Sequence, residues 1–386
     1  MKISLIVPSF YPATVYGGPI VSTLHTCQEL AKLDDIEIYV STTNANMTSK
    51  LDVQTNKWQQ FEENFFVKYY NETKINLLSL GLVFNVWRDI RQADVVHVQY
   101  MFNTTTPLAL FYAKLLRKPI ILSPRGALCQ WCLSQGSRFK TLWLQLLIKP
   151  FSNTIVWHAT AQEEKNDILT CFPNAKVEII PNGIEFHKFQ IHKDLAPQEF
   201  CNKFVAKDLQ ASKIIVSMGR LFKVKGFDIL INAFEKILKK HPHAKLFIAG
   251  EDEGEKENLL KLIEKLNLQE KAFLVGEIKG QDKIDFLANA DLFVLPSHTE
   301  NFGNVYVESL AAGTPIVASK GTPWSQVEEA DCGKWVNNSV EETTTAMLTL
   351  LEENREIMRS QAKQLAKQYD WPYIALKFKT IFKKII

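Results

Sequence analysis

Short β-rich apolar runs alternate with helical stretches along this chain, and the alternation occurs twice. Runs at 3–7, 36–41, 94–98, 119–123 and 154–157 alternate with helices predicted over 20–33 and 107–116. A second series runs through 213–218, 245–249, 272–275, 291–295 and 315–318, with helices over 226–240 and 255–266. Strands separated by helix-length connections pair in parallel, and parallel sheets need helices on both faces. The fold class is therefore α/β, with two Rossmann-like domains, placed at 1–190 and 205–370. The intervening 184–211 is charged and polar with few apolar runs, and reads as a linker. From Trp371 onward, Ile374, Phe378, Ile381, Phe382 and Ile385 recur at helical spacing, with Lys377, Lys379, Lys383 and Lys384 on other faces. This predicts a last helix packed on the body with its lysines in solvent; a membrane-surface role is the alternative.

Composition narrows the function classes. A net charge of +3 without any block of five like charges gives no footprint for nucleic acid. The six cysteines are scattered, as suits a reducing compartment, and Cys129-Gln-Trp-Cys132 is a lone CxxC without a second ligand pair, so no metal is expected there. Residues 1–8 form a first strand cut short by Pro8, too short in apolar length for a signal peptide. No run approaches the ~18 apolar residues of a membrane span. The expectation is a cytoplasmic protein, with membrane association left open.

In open parallel sheets, ligands bind beyond the carboxyl ends of the strands. The unusual residues fall there. After 291–295 come Glu300, on a loop, and Glu308, inside a helix predicted over 305–312 that stops at Gly313-Thr314-Pro315. Gly303 lies at that helix's N-terminus, where unsatisfied amides favour a phosphate. A carboxylate that holds hydroxyls beside amides that hold negative charge suits a nucleotide sugar. After 213–218, Arg220 and Lys225 share a glycine-flanked loop, and a guanidinium fork beside an ammonium suits a diphosphate. After the first strand, Gly17 and Gly18 open a helix, weaker evidence because such turns are common. Neither GxGxxG nor GxxxxGK[ST] occurs, which excludes the dinucleotide fingerprint and the P-loop.

Several of these segments together resemble family 4 of the retaining glycosyltransferases. They are Gly219-Arg220-Leu221 with Lys225-Gly226, the Glu300-x7-Glu308 block, 312–318 (AGTPIVA), 181–184 (PNGI), 93–98 (ADVVHV) and the doubled glycine after strand one. The resemblance runs the length of the chain in order. It implies the GT-B architecture, two Rossmann-like domains about a cleft, with a nucleotide-sugar donor on the second, an acceptor on the first, and the final helix, 371–386, returning to the first. It also implies roles. Arg220 and Lys225 would neutralise the diphosphate of a UDP- or GDP-sugar without a metal or other cofactor, Glu300 would bind hydroxyls of the transferred sugar, and Glu308 the ribose. Amides of Phe302, Gly303 and Asn304 would contact the sugar or its phosphate, with Gly17 and Gly18 adding an amide from the first domain. The acceptor would be a glycan or a lipid-linked molecule, in surface polysaccharide synthesis.

One position departs from that family. Where many members carry a His near the transferred sugar, 123–126 reads Ser-Pro-Arg-Gly, which puts Arg125 there. Arginine cannot serve as a general base, so sugar hydroxyls, donor phosphate and an anionic acceptor stay open as its partners. His158 is a second candidate, ranked below Arg125. Between 131 and 149, Trp131, Trp143 and Leu146 mix with Arg138, Lys140 and Lys149, either an interfacial face for a lipid-linked acceptor or an ordinary packed helix. A nucleotide-sugar epimerase of the same fold and a catalytically silent binding protein are the competing functions.

Overall fold

A computed structural model describes residues 1–73, 77–134, 138–207 and 209–386, the side chains of Trp131 and Arg138 excepted. The chain divides into two compact units. One comprises Met1–Gly183 together with Trp371–Ile386, the other Ile184–Asp370.

In the first unit the sheet runs in the order Lys176–Ile179, Ile155–Ala159, Ile120–Ser123, Val95–Gln99, Lys2–Ser9, Glu37–Thr43, Phe65–Tyr70, Trp58–Glu62. Every pairing is parallel except the last. Central strands are buried on both faces, and Val95–Gln99 has no exposed residue. The strand order reverses between Lys2–Ser9 and Val95–Gln99, so the crevice for a ligand lies beyond the carboxyl ends of those two strands. The first strand does not stop at Pro8. It continues to Ser9, and its register with Glu37–Thr43 shifts between Ile6 and Ser9, where the residue that lacks an amide proton is accommodated.

Helix Trp371–Ile385 belongs to this unit. Its Trp371, Ile374, Phe378 and Phe382 share a core with Ile3, Leu5 and Leu24. That apolar face is consumed in the core, while Tyr373 and Leu376 of the same helix stay exposed. Its lysines are not simply solvated: Lys379 and Lys383 pair with Asp35 at 2.5 and 3.2 Å, and Lys384 with Glu178 at 2.7 Å. Gly183 must be glycine because a Cβ there would run into the Trp371 ring.

The second unit has the order Ala272–Gly276, Ala244–Ala249, Lys213–Met218, Leu292–Leu295, Ile316–Ser319, Gly333–Val336, all parallel. Its order reverses between Lys213–Met218 and Leu292–Leu295. Helix Phe227–Ile237 buries Leu230, Ile231, Phe234 and Ile237 against the sheet, each contributing about 1.5–3 kcal/mol. The linker reading of 184–211 is corrected here. Ile184 pairs with Tyr369 (N–H to O, 2.8 Å), and helix Pro197–Val205 stacks Phe200 between Phe247 and Phe286 at 5.0 and 5.6 Å. A polar, charged exterior concealed two apolar residues, Phe200 and Cys201, enough to anchor a nine-residue helix.

Candidate functional site

In the second unit the expected residues gather at the reversal point. The loop after Lys213–Met218 carries Arg220, then a single turn Lys223–Lys225, and ends at Gly226 with φ +66°. A Cβ on Gly226 would strike the Pro296 carbonyl, so glycine lets this loop lie against the one after Leu292–Leu295. The two loops are also joined by His298 N–H to the Val224 carbonyl, 2.7 Å. Across this junction the Lys225 ammonium contacts the Glu300 carboxylate, which also accepts from the Ser297 hydroxyl at 3.2 Å. Both side chains are about 15% exposed (15% and 14%), so Lys225 is not a freely exposed loop lysine.

The loop holding Glu300 is fixed from below. Glu300 N–H donates to the Gly321 carbonyl at 3.0 Å, and Ser319 Oγ donates to the Ser297 carbonyl. Phe302 turns its ring into the core between Trp324 (5.3 Å) and Tyr369 (5.8 Å), and its carbonyl accepts from Trp324 Nε1 at 2.7 Å. Gly303, at φ +75°, caps helix Asn304–Ala312, and a Cβ there would come within 2.6 Å of the Tyr306 ring. In the first turn Tyr306 N–H turns back to the Gly303 carbonyl at 3.0 Å. Glu308 sits one turn further along and pairs with Lys283 at 2.6 Å, from helix Gly280–Ala288. Arg220 pairs with Glu253 at 2.7 and 2.9 Å. Lys283 and Glu253 went unnoticed in the sequence because each meets its partner across 25 or more positions, with no motif of its own.

In the first unit, Gly17 (φ +86°) caps helix Gly18–Ala31, and Gly18 opens it. Gln99 closes the strand beside Lys2–Ser9. Its Oε1 accepts from Arg125 Nε at 3.2 Å and Nη2 at 3.1 Å and lies 2.8 Å from the Thr23 hydroxyl. Arg125 Nη1 donates to Asn182 Oδ1 at 3.0 Å. Burial presses the guanidinium down from its ordinary range, without approaching neutrality. Tyr100 and Arg125 both adopt left-handed backbone, φ +68° and +58°, a strained conformation for such residues.

His158 is a structural histidine. Its Nε2 hydrogen bonds to the Ile180 carbonyl at 2.8 Å, so Nδ1 accepts from Ser123 Oγ at 2.7 Å, and Ser123 in turn accepts from His97 Nε2 at 2.8 Å. Both rings lie under the C-terminal helix, His158 4.9 Å from Phe378. Burial holds His158 down at about 3 and His97 well below its usual value. In the CxxC pair, Cys132 N–H points to Cys129 Sγ at 3.2 Å; hydrogen bonding to Cys129 and burial raise the Cys132 thiol.

Comparison with known proteins agrees with this geometry. Residues 202–369 match the glycosyl transferases group 1 family and residues 15–188 match glycosyltransferase family 4. An uncharacterized glycosyltransferase of Methanocaldococcus jannaschii is 31% identical over 57% of this chain; the match takes in 57% of that relative, little more than half its length. The alpha-monoglucosyldiacylglycerol synthase of Streptococcus pneumoniae is 24% identical over 84% of this chain and 72% of its own. Among solved structures, HepE of Anabaena in complex with UDP superposes over the whole of both chains, with TM-score 0.75 and 18% identity. With both halves matched in order and two Rossmann-like units of the GT-B kind, the chain belongs to the group 1 glycosyltransferases of the family 4 type.

Proposed function

We propose that this protein is a retaining, metal-independent glycosyltransferase. It moves a sugar from a nucleoside-diphosphate sugar on the second unit to a hydroxyl of a glycan or lipid-linked acceptor on the first. The observation that carries this is the Lys225–Glu300 contact at the reversal point of the second sheet. It sets a cation for the phosphate beside a carboxylate for the sugar. In the reaction the bond from the anomeric carbon to the diphosphate oxygen breaks and a bond to the acceptor oxygen forms. The acceptor's proton leaves with the diphosphate. The developing charge falls on the leaving group, so Arg220 and Lys225 act where preorganised positive charge lowers a barrier most. Glu300 holds hydroxyls of the sugar, and Glu308, oriented by Lys283, holds the ribose. HepE has been solved with UDP and with UDP-glucose, which favours UDP here. A panel of UDP-, GDP- and ADP-sugars, scored for hydrolysis and thermal stabilisation, tests the reading. Activity is expected to survive EDTA, and its abolition would overturn the metal-free mechanism.

Surface polysaccharide or glycolipid synthesis at the inner face of the membrane is the biological setting we infer. No described helix is long and apolar enough to cross a membrane, but one face of the first unit suits lying on one. Leu80 and Phe84, Phe111 and Leu115, and Phe139, Leu142 and Leu146 are all exposed. Their segments are neighbours, with Thr105–Leu115 touching both Leu80–Arg91 and Leu144–Ile148. Residues 95–162 contain no Asp or Glu but include Lys114, Arg117, Lys118, Lys140 and Lys149. Apolar side chains beside a stretch that carries basic and no acidic residues match an anionic lipid surface. Residues 135–137 of the 131–149 segment, and the side chains of Trp131 and Arg138, lie outside the described residues.

A further inference from the structure

The guanidinium of Arg125 is held only by neutral groups, the amide oxygens of Gln99 and Asn182. Among the described residues no carboxylate lies within ion-pair distance of it. Glu164 acts on it through space alone. That carboxylate is taken up by Gly126 N–H at 2.6 Å, Thr160 N–H at 2.7 Å and the Thr160 hydroxyl at 2.8 Å. Half-buried, the guanidinium keeps only part of its hydration, so a counter-charge there is worth more than in open water. One N–H on each terminal nitrogen of Arg125 is left over. Beside it two further groups are orphaned. Gln99, 1% exposed, commits its Oε1 to Arg125, and its Nε2 has no partner; the Tyr100 hydroxyl is buried without one either. Flipping the Gln99 amide does not help, because it would turn the NH2 onto the guanidinium. A clip between strand and loop would need none of these spare donors. Cation, amide and phenol are alike in having protons to give and no acceptor.

We propose that this corner of the first unit binds an anionic group, a carboxylate or a phosphate carried by the acceptor. The inference rests on reading the first unit as the acceptor side, and it selects among the three partners that the sequence leaves open for Arg125. Gln99 is a positioning residue that aims the guanidinium and adds an N–H. Gly17 and the opening of helix Gly18–Ala31 lie at the same sheet reversal. A sugar whose charged group is anchored at Arg125 therefore lies where the fold places a ligand.

The test uses the full chain saturated with UDP, so that the phosphate site of the second unit is filled. Glucuronate, inorganic phosphate and glucose are titrated separately, followed by thermal shift and ligand-observed NMR. Glucuronate or phosphate should bind and glucose should not, and Arg125→Gln should weaken the anion about 10- to 100-fold. Gln99→Glu guards against a variant that fails to fold, since it supplies Arg125 with a built-in carboxylate. It should raise thermal stability and abolish the anion response. Equal binding of glucose and glucuronate would overturn the proposal, as would an anion response in Gln99→Glu or Arg125→Gln that matches wild type. The UDP response, recorded in the same samples without anion, reports the donor reading separately.

Discussion

Lys225 and Glu300 contact each other with side chains about 15% exposed, so replacing either one confounds function with stability, and a double-mutant cycle separates the two. Breaking a fully buried ion pair costs ~3–5 kcal/mol and breaking a solvent-exposed one ~0–1. At this burial Lys225→Ala should destabilise the second unit by ~1–3 kcal/mol, because the carboxylate it leaves keeps only the Ser297 hydroxyl at 3.2 Å and water. Glu300→Gln should cost less, since an amide still accepts from Ser297 and can accept from Lys225. In the double variant no charge is stranded, and stability should return to within ~1 kcal/mol of wild type, a coupling of the size found for residues in contact. Activity should behave in the opposite way. Loss of one electrostatic contact to a leaving group lowers turnover ~10²–10³-fold, and nothing in Glu300→Gln restores a cation. Urea unfolding and donor hydrolysis measured on all four proteins give both cycles. Recovery of turnover in the double variant would refute the phosphate role, since Lys225 would then serve only to neutralise Glu300. Wild-type turnover in Lys225→Ala would refute it directly.

Three further outcomes are expected. His97 and His158 are buried and neutral, held below their usual range by desolvation first, with His158 at about 3; the unfolded chain therefore binds more protons below pH ~6.5, and stability falls as pH drops from there toward 3. The His158 ring should cost ~2 kcal/mol between pH 7 and 5, so His158→Gln should flatten the pH dependence of urea unfolding, and a His158 resonance that titrates near 6.5 in the folded protein would contradict the relay. Gly226→Ala, which meets both a positive φ and the Pro296 carbonyl, should lose at least ~2 kcal/mol; Gly254→Ala, with φ +101° and nothing within 4 Å, should lose less, and equal shifts in thermal melting would remove the argument that the two donor loops depend on close approach. Phe139→Asp with Leu146→Asp should reduce sedimentation with phosphatidylglycerol vesicles without altering hydrolysis of soluble donor, and unchanged sedimentation would discard the lipid-facing surface.

The elements most legible in the sequence are those buried on both faces. Strand 213–218 is legible to the residue because a continuous apolar run is flanked by turn formers, and the helix expected over 305–312 starts one residue earlier, at Asn304, because Gly303 and Gly313 bound it. Trp58–Glu62, Lys176–Ile179 and Gly333–Val336 were missed. Each lies at a sheet edge, where one flank faces water and the composition need not be apolar; Phe65–Tyr70 was missed beside the first. Site residues followed a similar rule. Glu300, Arg220 and Lys225 stand in loops and Glu308 in the helix that follows one, all with local spacing, so their position is readable. Their partners Glu253 and Lys283, like Gln99 and Asn182 around Arg125, come from other strands, helices and loops, and only the folded sheet order joins them.

The charges at the two sheet reversals differ in a way that bears on what each can do. In the second unit the cations expected to meet phosphate are already paired, Arg220 with Glu253 and Lys225 with Glu300. A diphosphate entering there must exchange partners with a carboxylate rather than fill an empty field. That exchange couples the two halves of a nucleotide sugar. As Lys225 turns to phosphate, Glu300 loses its counter-charge and gains by accepting hydrogen bonds from sugar hydroxyls, so neither half is held fully without the other. Hydrogen bonds to an ionised carboxylate are among the stronger ones, so a donor that lacks the sugar leaves the carboxylate under-satisfied, a discrimination of the kind that buried polar groups enforce. Arg125, by contrast, has no carboxylate to give up among the described residues. A cation held by neutral amides gains from any anion that reaches it, and nothing on the protein must be displaced first. On the roles proposed above, the second unit recognises a whole molecule through exchanged pairs, and the first a single charge.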